Sequence, residues 1–347
     1  MGQNLGKKVQ SFEKKTLDDF KKVHIYLKCN IGDLYFFIKF INSEYEVHRE
    51  LNLNFSFHKN SSNKLKDKNT QILGEAISKC KNLQQLALCL NQNEIGIPGV
   101  SSLVDGIADC QNLNKIKLEI GRNNIGYAGT QYIGQALSRC ANLEILDINL
   151  NSSFVGMGAT FLGNTLKNYK KLNILTLILC DNFISDQDAA NLGFSLGKCQ
   201  NLKELYVDLS KNLVQDGAIG LGTGLGNCFQ LLNLTIILYN NNISTNGASG
   251  FLNGLQNCTK LENLNIGLNS NKIESDGVQN FGSHLLRMPN LKNLYLDLSQ
   301  KIFEQVAKSH LIIENQNFMQ HPTLEQKNYL LRRRYHANLA VKLAIKN

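Results

Sequence analysis

Six cysteines recur at nearly constant spacing through the middle of this 347-residue chain. They lie 29 or 30 residues apart, with one interval of 59, and they are Cys80, Cys110, Cys140, Cys199, Cys228 and Cys258. A thiol series of this kind could serve as a set of metal ligands, a ladder of disulfides, or a row of nucleophiles. Each of these uses requires that the thiols meet one another or a partner group in space.

None of the three chemistries fits the spacing. The chain has no Cys-x-x-Cys pair and no close Cys/His cluster, which a zinc site would need. A disulfide requires Cα atoms about 4.4–6.8 Å apart, whereas packed helices lie about 8–10 Å apart. Tyr169 and Met288 occupy the same slot in two further repeats, and neither can replace a thiolate. We therefore interpret the slot as a buried packing position, with a redox or metal role as the alternative, and we predict no metal and no cofactor.

Three cysteines lie outside this series: Cys29, Cys89 and Cys180. Cys89 and Cys180 fall at positions of predicted strands that should face outward. We therefore expect these two thiols to react first with a thiol probe.

The residues around each slot define a repeated unit of 29 or 30 residues. A Leu follows three residues after the slot, and then apolar residues alternate, as in Leu86-x-Leu88-x-Leu90, which predicts a half-buried strand. Apolar residues at helical spacing precede the next slot, as in Leu192, Leu196 and Cys199. Between them, thirteen residues after the slot, lies an Asn or Ser: Asn93, Asn123, Ser153, Asn182, Asn212, Asn241 and Asn271. One unit is therefore a strand, an Asn-containing turn and a helix.

This consensus resembles the leucine-rich repeat over residues 73–303, as about eight units. Within that superfamily it is similar to the long, helix-containing units of the ribonuclease-inhibitor and RanGAP type, including Cys-containing arrays of protists. The resemblance implies an α/β fold, a curved horseshoe solenoid with parallel strands on the concave face and helices on the convex face. It also implies that the repeated Asn hydrogen-bonds the backbone of neighbouring turns. No unit can bury its apolar strand face and helix stripe alone, so stacking supplies the core.

Two basic segments flank the repeats. We interpret residues 1–72 as a basic segment and a divergent capping repeat, in which Leu51–Phe57 alternates like a strand. Residues 304–347 read as a basic helical tail that caps the last repeat or contacts an acidic partner. Leu331, Tyr335 and Leu339 lie on one helical stripe, and Arg332, Arg333 and Arg334 form a basic band. Gly2 with the lysines behind it resembles an N-myristoylation start; an ordinary N-terminus is the alternative. Lipidation is the one route by which we expect membrane contact.

The charge distribution argues against nucleic acid as the partner of the repeats. Residues 1–30 carry a net charge of +4 and residues 301–347 a net charge of +5, while residues 31–300 hold 22 basic and 22 acidic residues. A phosphate backbone requires a basic face, which this neutral body lacks. No apolar run has the length of a membrane span, and no secretory signal is visible. With nine cysteines, these features predict a cytoplasmic protein.

The candidate binding residues are those that alternate with the inward-facing apolar positions. They would line the concave face as a small basic patch followed by an acidic, Tyr-bearing stretch: Lys115, Lys117, Asp147, Asp181, Glu204, Tyr206, Asp208, Tyr239, Tyr295 and Asp297. Tyr combines a large contact area with a polar tip, which favours protein interfaces. The alternative is a polar face that simply contacts water.

We therefore expect a non-enzymatic protein–protein interaction scaffold. The glycine-rich stretch 220–227 lacks the G-K-[ST] ending of a phosphate loop, and the chain contains none of the common hydrolase or kinase motifs. Two alternatives remain from the sequence. One is a structural component of a large cytoskeletal or ciliary assembly. The other is a RanGAP-like GTPase regulator, in which Arg122 would be supplied in trans.

Overall fold

Short strands and helices alternate along the part of the chain that the computed structural model describes: residues 22–25, 49–56, 64–274, 279–298, 329–333 and 339–343. The strands are β1 (Lys22–Ile25), β2 (Glu50–Asn54), β3 (Gln85–Cys89), β4 (Lys115–Glu119), β5 (Ile145–Asn149), β6 (Ile174–Ile178), β7 (Glu204–Asp208), β8 (Asn233–Ile237), β9 (Asn263–Gly267), β10 (Asn293–Asp297), β11 (Tyr329–Arg333) and β12 (Leu339–Leu343). The helices are α1 (Lys66–Ile77), α2 (Ile97–Ala108), α3 (Gly126–Leu137), α4 (Gly158–Leu166), α5 (Asp186–Leu196), α6 (Gly217–Leu225), α7 (Thr245–Leu255) and α8 (Gln279–Leu286).

All of these strands belong to one sheet, in which the spatial order equals the chain order. From β1 to β11 each strand pairs in parallel with the next, and β12 runs antiparallel to β11. The register is the same throughout the repeats; Leu86, for example, lies beside Ile116, which lies beside Leu146. A parallel strand requires a crossover back to the starting edge, and the helices supply it. The described part of the chain is therefore an α/β repeat fold built on a single open sheet. The α/β class and the parallel repeat strands agree with the prediction from the sequence.

The predicted alternation fixes which side of each strand is buried. In β3, β5, β6 and β8 the second and fourth residues are buried, whereas the first, third and fifth are partly exposed. Leu88, Leu118, Ile148 and Leu177 are fully buried in this way. Together with the apolar stripes of the helices they form one continuous core. Successive residues of a strand point to opposite faces, so the other face of the sheet is left open.

Glycine allows successive helices to pack closely on the far side of that core. A Cβ added to Gly224 in α6 would lie 2.1 Å from the carbonyl carbon of Gly193 in α5. The same clash arises between Gly106 in α2 and Gly74 in α1, where a Cβ on Gly106 would lie 2.1 Å from the carbonyl oxygen. These positions exclude any side chain, which explains why Gly recurs inside helices despite its poor helix propensity.

The Asn predicted in each turn forms the expected network. We call these residues the Asn row: Asn93, Asn123, Asn182, Asn212, Asn241 and Asn271, all buried. The Oδ1 atom of Asn182 accepts hydrogen bonds from the backbone N–H groups of Ser153 (2.7 Å) and Val155 (3.2 Å) in the preceding unit. Its Nδ2 donates to the carbonyls of Leu150 (2.8 Å) and Cys180 (3.1 Å). The row therefore ties each turn to the one before it.

The recurring cysteines are buried free thiols, which confirms the packing interpretation. Cys110, Cys228 and Cys258 also donate a hydrogen bond from Sγ to the carbonyl of the residue that ends the helix of the preceding unit, at 3.2, 3.4 and 3.2 Å. Burial raises the pKa of Cys110 to about 12 and that of Cys80 to about 11, so these thiols stay protonated. A thiol suits this slot because it is small and apolar yet offers a weak donor.

The C-terminal helix expected in residues 304–347 is wrong where the structure describes this segment. Tyr329–Arg333 and Leu339–Leu343 are strands β11 and β12, which extend the sheet beyond β10. Leu331 pairs with Leu296 of the last repeat strand, so sheet pairing overrides the helical spacing of the leucines. Arg332 and Arg333 are in β11, whereas Arg334 and Gly2 lie outside the described residues.

Candidate binding surface

The open face of the sheet, formed by the outward residues of the strands, carries the candidate site. Because the register is constant, equivalent residues form straight rows across the strands. The third-position row, through the middle of the strands, consists of Asn52, Ala87, Lys117, Asp147, Thr176, Tyr206, Thr235, Asn265 and Tyr295. No two adjacent members of this row are identical, so the open face changes from one unit to the next.

An ion-pair cluster occupies β4 and β5. The Nζ atom of Lys117 lies 2.7 Å from a carboxylate oxygen of Glu119 and 3.9 Å from Asp147. Partial burial alone would raise the pKa of Glu119, but the hydrogen bond and charge of Lys117, with hydrogen bonds from Cys89 and Asn91, together lower it. Burial raises the pKa of Asp147, and the charge of Lys117 only partly opposes this. Asn91 also donates to Glu119, at 3.3 Å. These side chains hold one another in place, so the cluster presents a defined pattern of charge.

Two partly exposed thiols lie on the same side of the sheet as this cluster, in β3 and just after β6. Cys89 and Cys180 are the described cysteines with partial exposure, as the alternation predicted. Burial, together with the nearby carboxylates of Glu119 or Asp208, raises the pKa of each thiol to about 11. Neither thiol is activated as a nucleophile. That these two thiols react first with a thiol probe stays a prediction, and it rests only on their partial exposure to solvent.

The middle of the open face is more apolar than the sequence analysis anticipated. Ile145, Ile174 and Ile178 are partly exposed at the first or fifth positions of β5 and β6. They surround Thr176, and beyond it Tyr206 is 36% exposed between two acidic residues of its own strand. Burial, with the charge of Asp208 as a second cause, raises the pKa of the Tyr206 hydroxyl. This region combines apolar contact area with a hydroxyl donor, which is typical of the centre of a protein interface.

Amide side chains dominate the last strands. The Nδ2 atom of Asn263 donates to Oδ1 of Asn233, and that of Asn293 donates to Oδ1 of Asn263, which forms a short amide ladder across β8, β9 and β10. In the third-position row the Oδ1 atom of Asn265 is buried and has no hydrogen-bond partner among the described residues. This end of the face therefore offers neutral donors and acceptors in place of ion pairs.

Eight of the ten predicted binding residues lie on the strands of the open face, and two lie beyond it. The eight are Lys115, Lys117, Asp147, Glu204, Tyr206, Asp208, Tyr295 and Asp297. Tyr239 follows the end of β8 and is half-buried. Asp181 lies in the turn after β6 with a φ of 58°, where it accepts a hydrogen bond from the Ser152 hydroxyl at 2.8 Å. Arg122 is exposed in the equivalent turn of an earlier unit, with a φ of 55°.

The predicted binding residues omit four partly exposed isoleucines of the open face, Ile145, Ile174, Ile178 and Ile237, although a signal was present. Ile145 and Ile174 are apolar residues at the first strand position, where Lys115 and Glu204 are charged in other units. An apolar residue at an outward position contradicts the alternation that defines the strand. Apolar residues exposed on an open sheet are therefore candidates for a contact surface.

Within the described part of the chain, no three His, Cys, Asp or Glu side chains gather as a metal site would require. None of the described helices has both the length and the apolar character needed to cross a membrane. No family model matches the chain, and a comparison with curated proteins found no match.

Proposed function

We propose that this chain is a leucine-rich-repeat protein of the helix-containing ribonuclease-inhibitor and RanGAP-like type. The support is the unit itself: an in-register parallel strand, a turn held by a buried Asn, and a helix on one side of the sheet. Strands are spaced about 4.8 Å apart, whereas helices need about 8–10 Å. This mismatch bends such an array into a horseshoe with the open face on its concave side.

We further propose that the protein is a non-enzymatic scaffold that binds a protein partner through the open face. The observation that carries this proposal is the contrast between positions. Inward positions repeat Leu, Ile or Val in every unit, whereas the outward residues of β4–β7 change from an ion-pair cluster to isoleucines and then to Tyr206 between acids. A solvated face needs no such variation, and Tyr and Ile are unfavourable residues for contact with water alone.

The partner that fits this face has three zones in a fixed order. Opposite β4 and β5 it presents charge to the Lys117 cluster, opposite Ile174 and Ile178 it presents apolar groups, and opposite Glu204 and Asp208 it presents basic groups. Charged groups at the rim of an interface chiefly determine specificity and association rate. The apolar centre with Tyr206 supplies the greater share of affinity.

Crosslinking mass spectrometry on the tagged full chain, isolated from its own cells, tests this proposal. The test variants are Tyr206→Thr, because Thr already occupies the flanking positions Thr176 and Thr235, and Glu204→Lys. The control is Glu75→Lys, which makes the same charge change at an exposed position of helix α1. We expect one partner to be crosslinked to Lys115 or Lys117 and to be recovered about tenfold less with either test variant. Equal recovery with all variants, or crosslinks restricted to the two basic ends, would disprove binding through this face.

A further inference from the structure

Five large apolar side chains lie exposed at the edge of the sheet where the strands end and the chain turns into the helices. Phe154 and Phe183 are 59% and 64% exposed, and their rings stack with centroids 6.3 Å apart and planes inclined by 14°. Tyr127, Met157 and Leu213 are 55%, 51% and 43% exposed. We call these five residues the edge patch. It lies in the β–α turns and, with Tyr127, at the start of α3, apart from the outward residues of the strands.

The two phenylalanines have a backbone conformation that disfavours them. Phe154 has a φ of 59° and Phe183 a φ of 57°, the left-handed region that a bulky residue rarely enters. Glu94 and Asn242 occupy the same slot with the same conformation in other units, so a polar residue suffices for the turn. Because both rings are mostly exposed, core packing does not explain their presence. Large aromatic residues kept in a strained, exposed position indicate a binding role.

Backbone hydrogen bonds join the edge patch into one surface. The N–H of Gly156 donates to the carbonyl of Asn182 at 2.9 Å, which joins the turn of Phe154 to that of Phe183. The N–H of Leu213 donates to the carbonyl of Ile184 at 2.8 Å, which adds the third turn. Tyr127 at the start of α3 reaches Gly158, where an added Cβ would lie 3.1 Å from the Tyr127 Cα. The surface is therefore held in place by the scaffold before any partner binds.

Exposed carboxylates lie in the same turns. Asp181 precedes Phe183 by two residues, Asp186 begins α5, and Asp216 precedes α6; all three are exposed. None of them forms an ion pair with a Lys or Arg among the described residues. Lys211 and Arg122 lie on the same edge, so the rim is acidic next to Phe183 and mixed elsewhere. Carboxylates beside the rings repel anionic lipid headgroups and attract Lys or Arg side chains.

We propose that the edge patch binds an amphipathic segment of a protein partner. That segment presents apolar side chains to Phe154, Phe183 and Leu213, and presents Lys or Arg to Asp181, Asp186 and Asp216. This is a second interaction surface, and it does not depend on binding at the open face. An amphipathic helix that places apolar anchors three and four residues apart suits a patch of this kind.

A designed peptide tests the proposal on the full chain. The probe is a fluorescent amphipathic peptide of Leu and Lys, about four helical turns long; a second peptide replaces every Lys with Glu. The test variant carries Phe154→Asn and Phe183→Asn, because Asn242 has the same conformation at this slot. The matched control is Phe194→Asn, an exposed Phe of α5 outside the edge patch, at a helix position that is Asn in two other units, Asn164 and Asn253.

We expect saturable binding of the Leu/Lys peptide, weakened about tenfold or more in the double variant and unchanged in the control. The double variant should melt no lower than the wild type, because Asn tolerates the left-handed turn. The proposal is overturned by absence of saturable binding, by equal affinity of the double variant, or by equal affinity of the Leu/Glu peptide. Two further results would also overturn it. One is a double variant that melts well below the wild type, which would make the rings structural. The other is a wild-type dimer that the double variant dissociates, which would make a second copy of this chain the occupant.

Discussion

Two rows of side chains run across the strands of the same sheet, and they differ in burial, in how much they vary from unit to unit, and in the groups to which they bond. The Asn row lies inside the turns, is nearly invariant from unit to unit and bonds to the backbone of its neighbours. The third-position row lies on the open face, varies in every unit and bonds, where it bonds, to other side chains, as Lys117 does to Glu119. The Asn row holds the turns in the same geometry in each unit, whereas the third-position row can differ from unit to unit without a change in that geometry.

This difference follows from burial. A buried backbone N–H that loses its acceptor has no water to replace it, so a change in the Asn row carries a large cost. When a side chain on the open face loses a contact with a neighbouring side chain, water replaces that contact at little cost in free energy. The folded state therefore requires the amide of the first row in each of these turns and tolerates different side chains in the second row.

Removal of one member of the Asn row should produce the largest effect. Asn182→Ala would leave the N–H groups of Ser153 and Val155 without their acceptor inside the turn. We expect the free energy of unfolding, measured by urea titration, to fall by about 3 kcal/mol. The control Asn201→Ala removes an exposed Asn with one hydrogen bond, to Lys170, and should cost about 0.5 kcal/mol. Equal losses from the two substitutions would mean that the Asn row is no more important than a surface amide.

Among the turns that the structure describes, the turn of Ser153 lacks the buried Asn and permits the opposite experiment. Ser153 is buried, but its hydroxyl donates to the carbonyl of Asn151 at 3.2 Å and is too short to link the turns as Asn182 does. The flanking residues Ser152 and Phe154 have φ values of 49° and 59°, close to the 58° and 57° found on either side of Asn182. The backbone of this turn therefore already suits an Asn.

We expect Ser153→Asn to raise the free energy of unfolding by about 1 kcal/mol, because the new amide can accept from the N–H groups of Asn123 and Ile125. Ser153→Asp is the matched control. It has the same shape but lacks the Nδ2 donor and places a charge in a buried turn, so it should destabilise the protein. A loss of stability with both variants would show that the turn has no room for the longer side chain.

Most of the fold could be predicted from the sequence because the same residue pattern recurs in each unit and indicates the same strand, turn and helix each time. The constant position of Asn93, Asn123 and their equivalents, together with period-two alternation, predicted strands and turns. The resemblance to leucine-rich repeats implied the hydrogen-bond network that these Asn residues form. The packing role of the cysteines followed from the exchange of Cys for Tyr169 and Met288. Their Sγ hydrogen bonds could not be predicted, since they depend on how closely neighbouring helices approach.

The predictions that failed concern residues where the hydrophobic periodicity is misleading or carries no information. Leu331 and Leu339 lie at helical spacing, but β11 and β12 pair with the last repeat strand and with each other. The strained phenylalanines of the edge patch were missed because a left-handed φ depends on the turn and is not encoded in the hydrophobic pattern. Asp181 was placed among the strand residues, although its unit turns one residue after Cys180.

The smallest effect that we predict is the loss of stability when Glu119 of the open face can no longer pair with Lys117. The direction in which this loss changes with pH follows from the pKa of Glu119. Burial alone would raise the pKa of Glu119, but its hydrogen bonds, chiefly the one from Lys117, and the charge of Lys117 together lower it from its ordinary value of 4.5. The bond therefore stabilises the fold above pH 4.5 and is lost as the pH falls through the lowered pKa. Glu119→Gln should reduce the free energy of unfolding by about 0.5 kcal/mol or less at pH 7, because the pair is half-exposed, and the difference should shrink as the pH falls below 4.5 and through the lowered pKa.

Asp147 provides the control of opposite sign for this pH experiment. Its pKa is raised from an ordinary value of 3.8, chiefly by burial, so its ionised form destabilises the fold at neutral pH and this penalty disappears in acid. Asp147→Asn should therefore gain a small amount of stability at pH 7, and the gain should vanish below pH 3.8, the value in the unfolded chain. Urea titrations of the wild type and both variants at several pH values would check this. If the two variants shift stability in the same direction, the cluster is a solvated group of charges and offers a partner no fixed pattern.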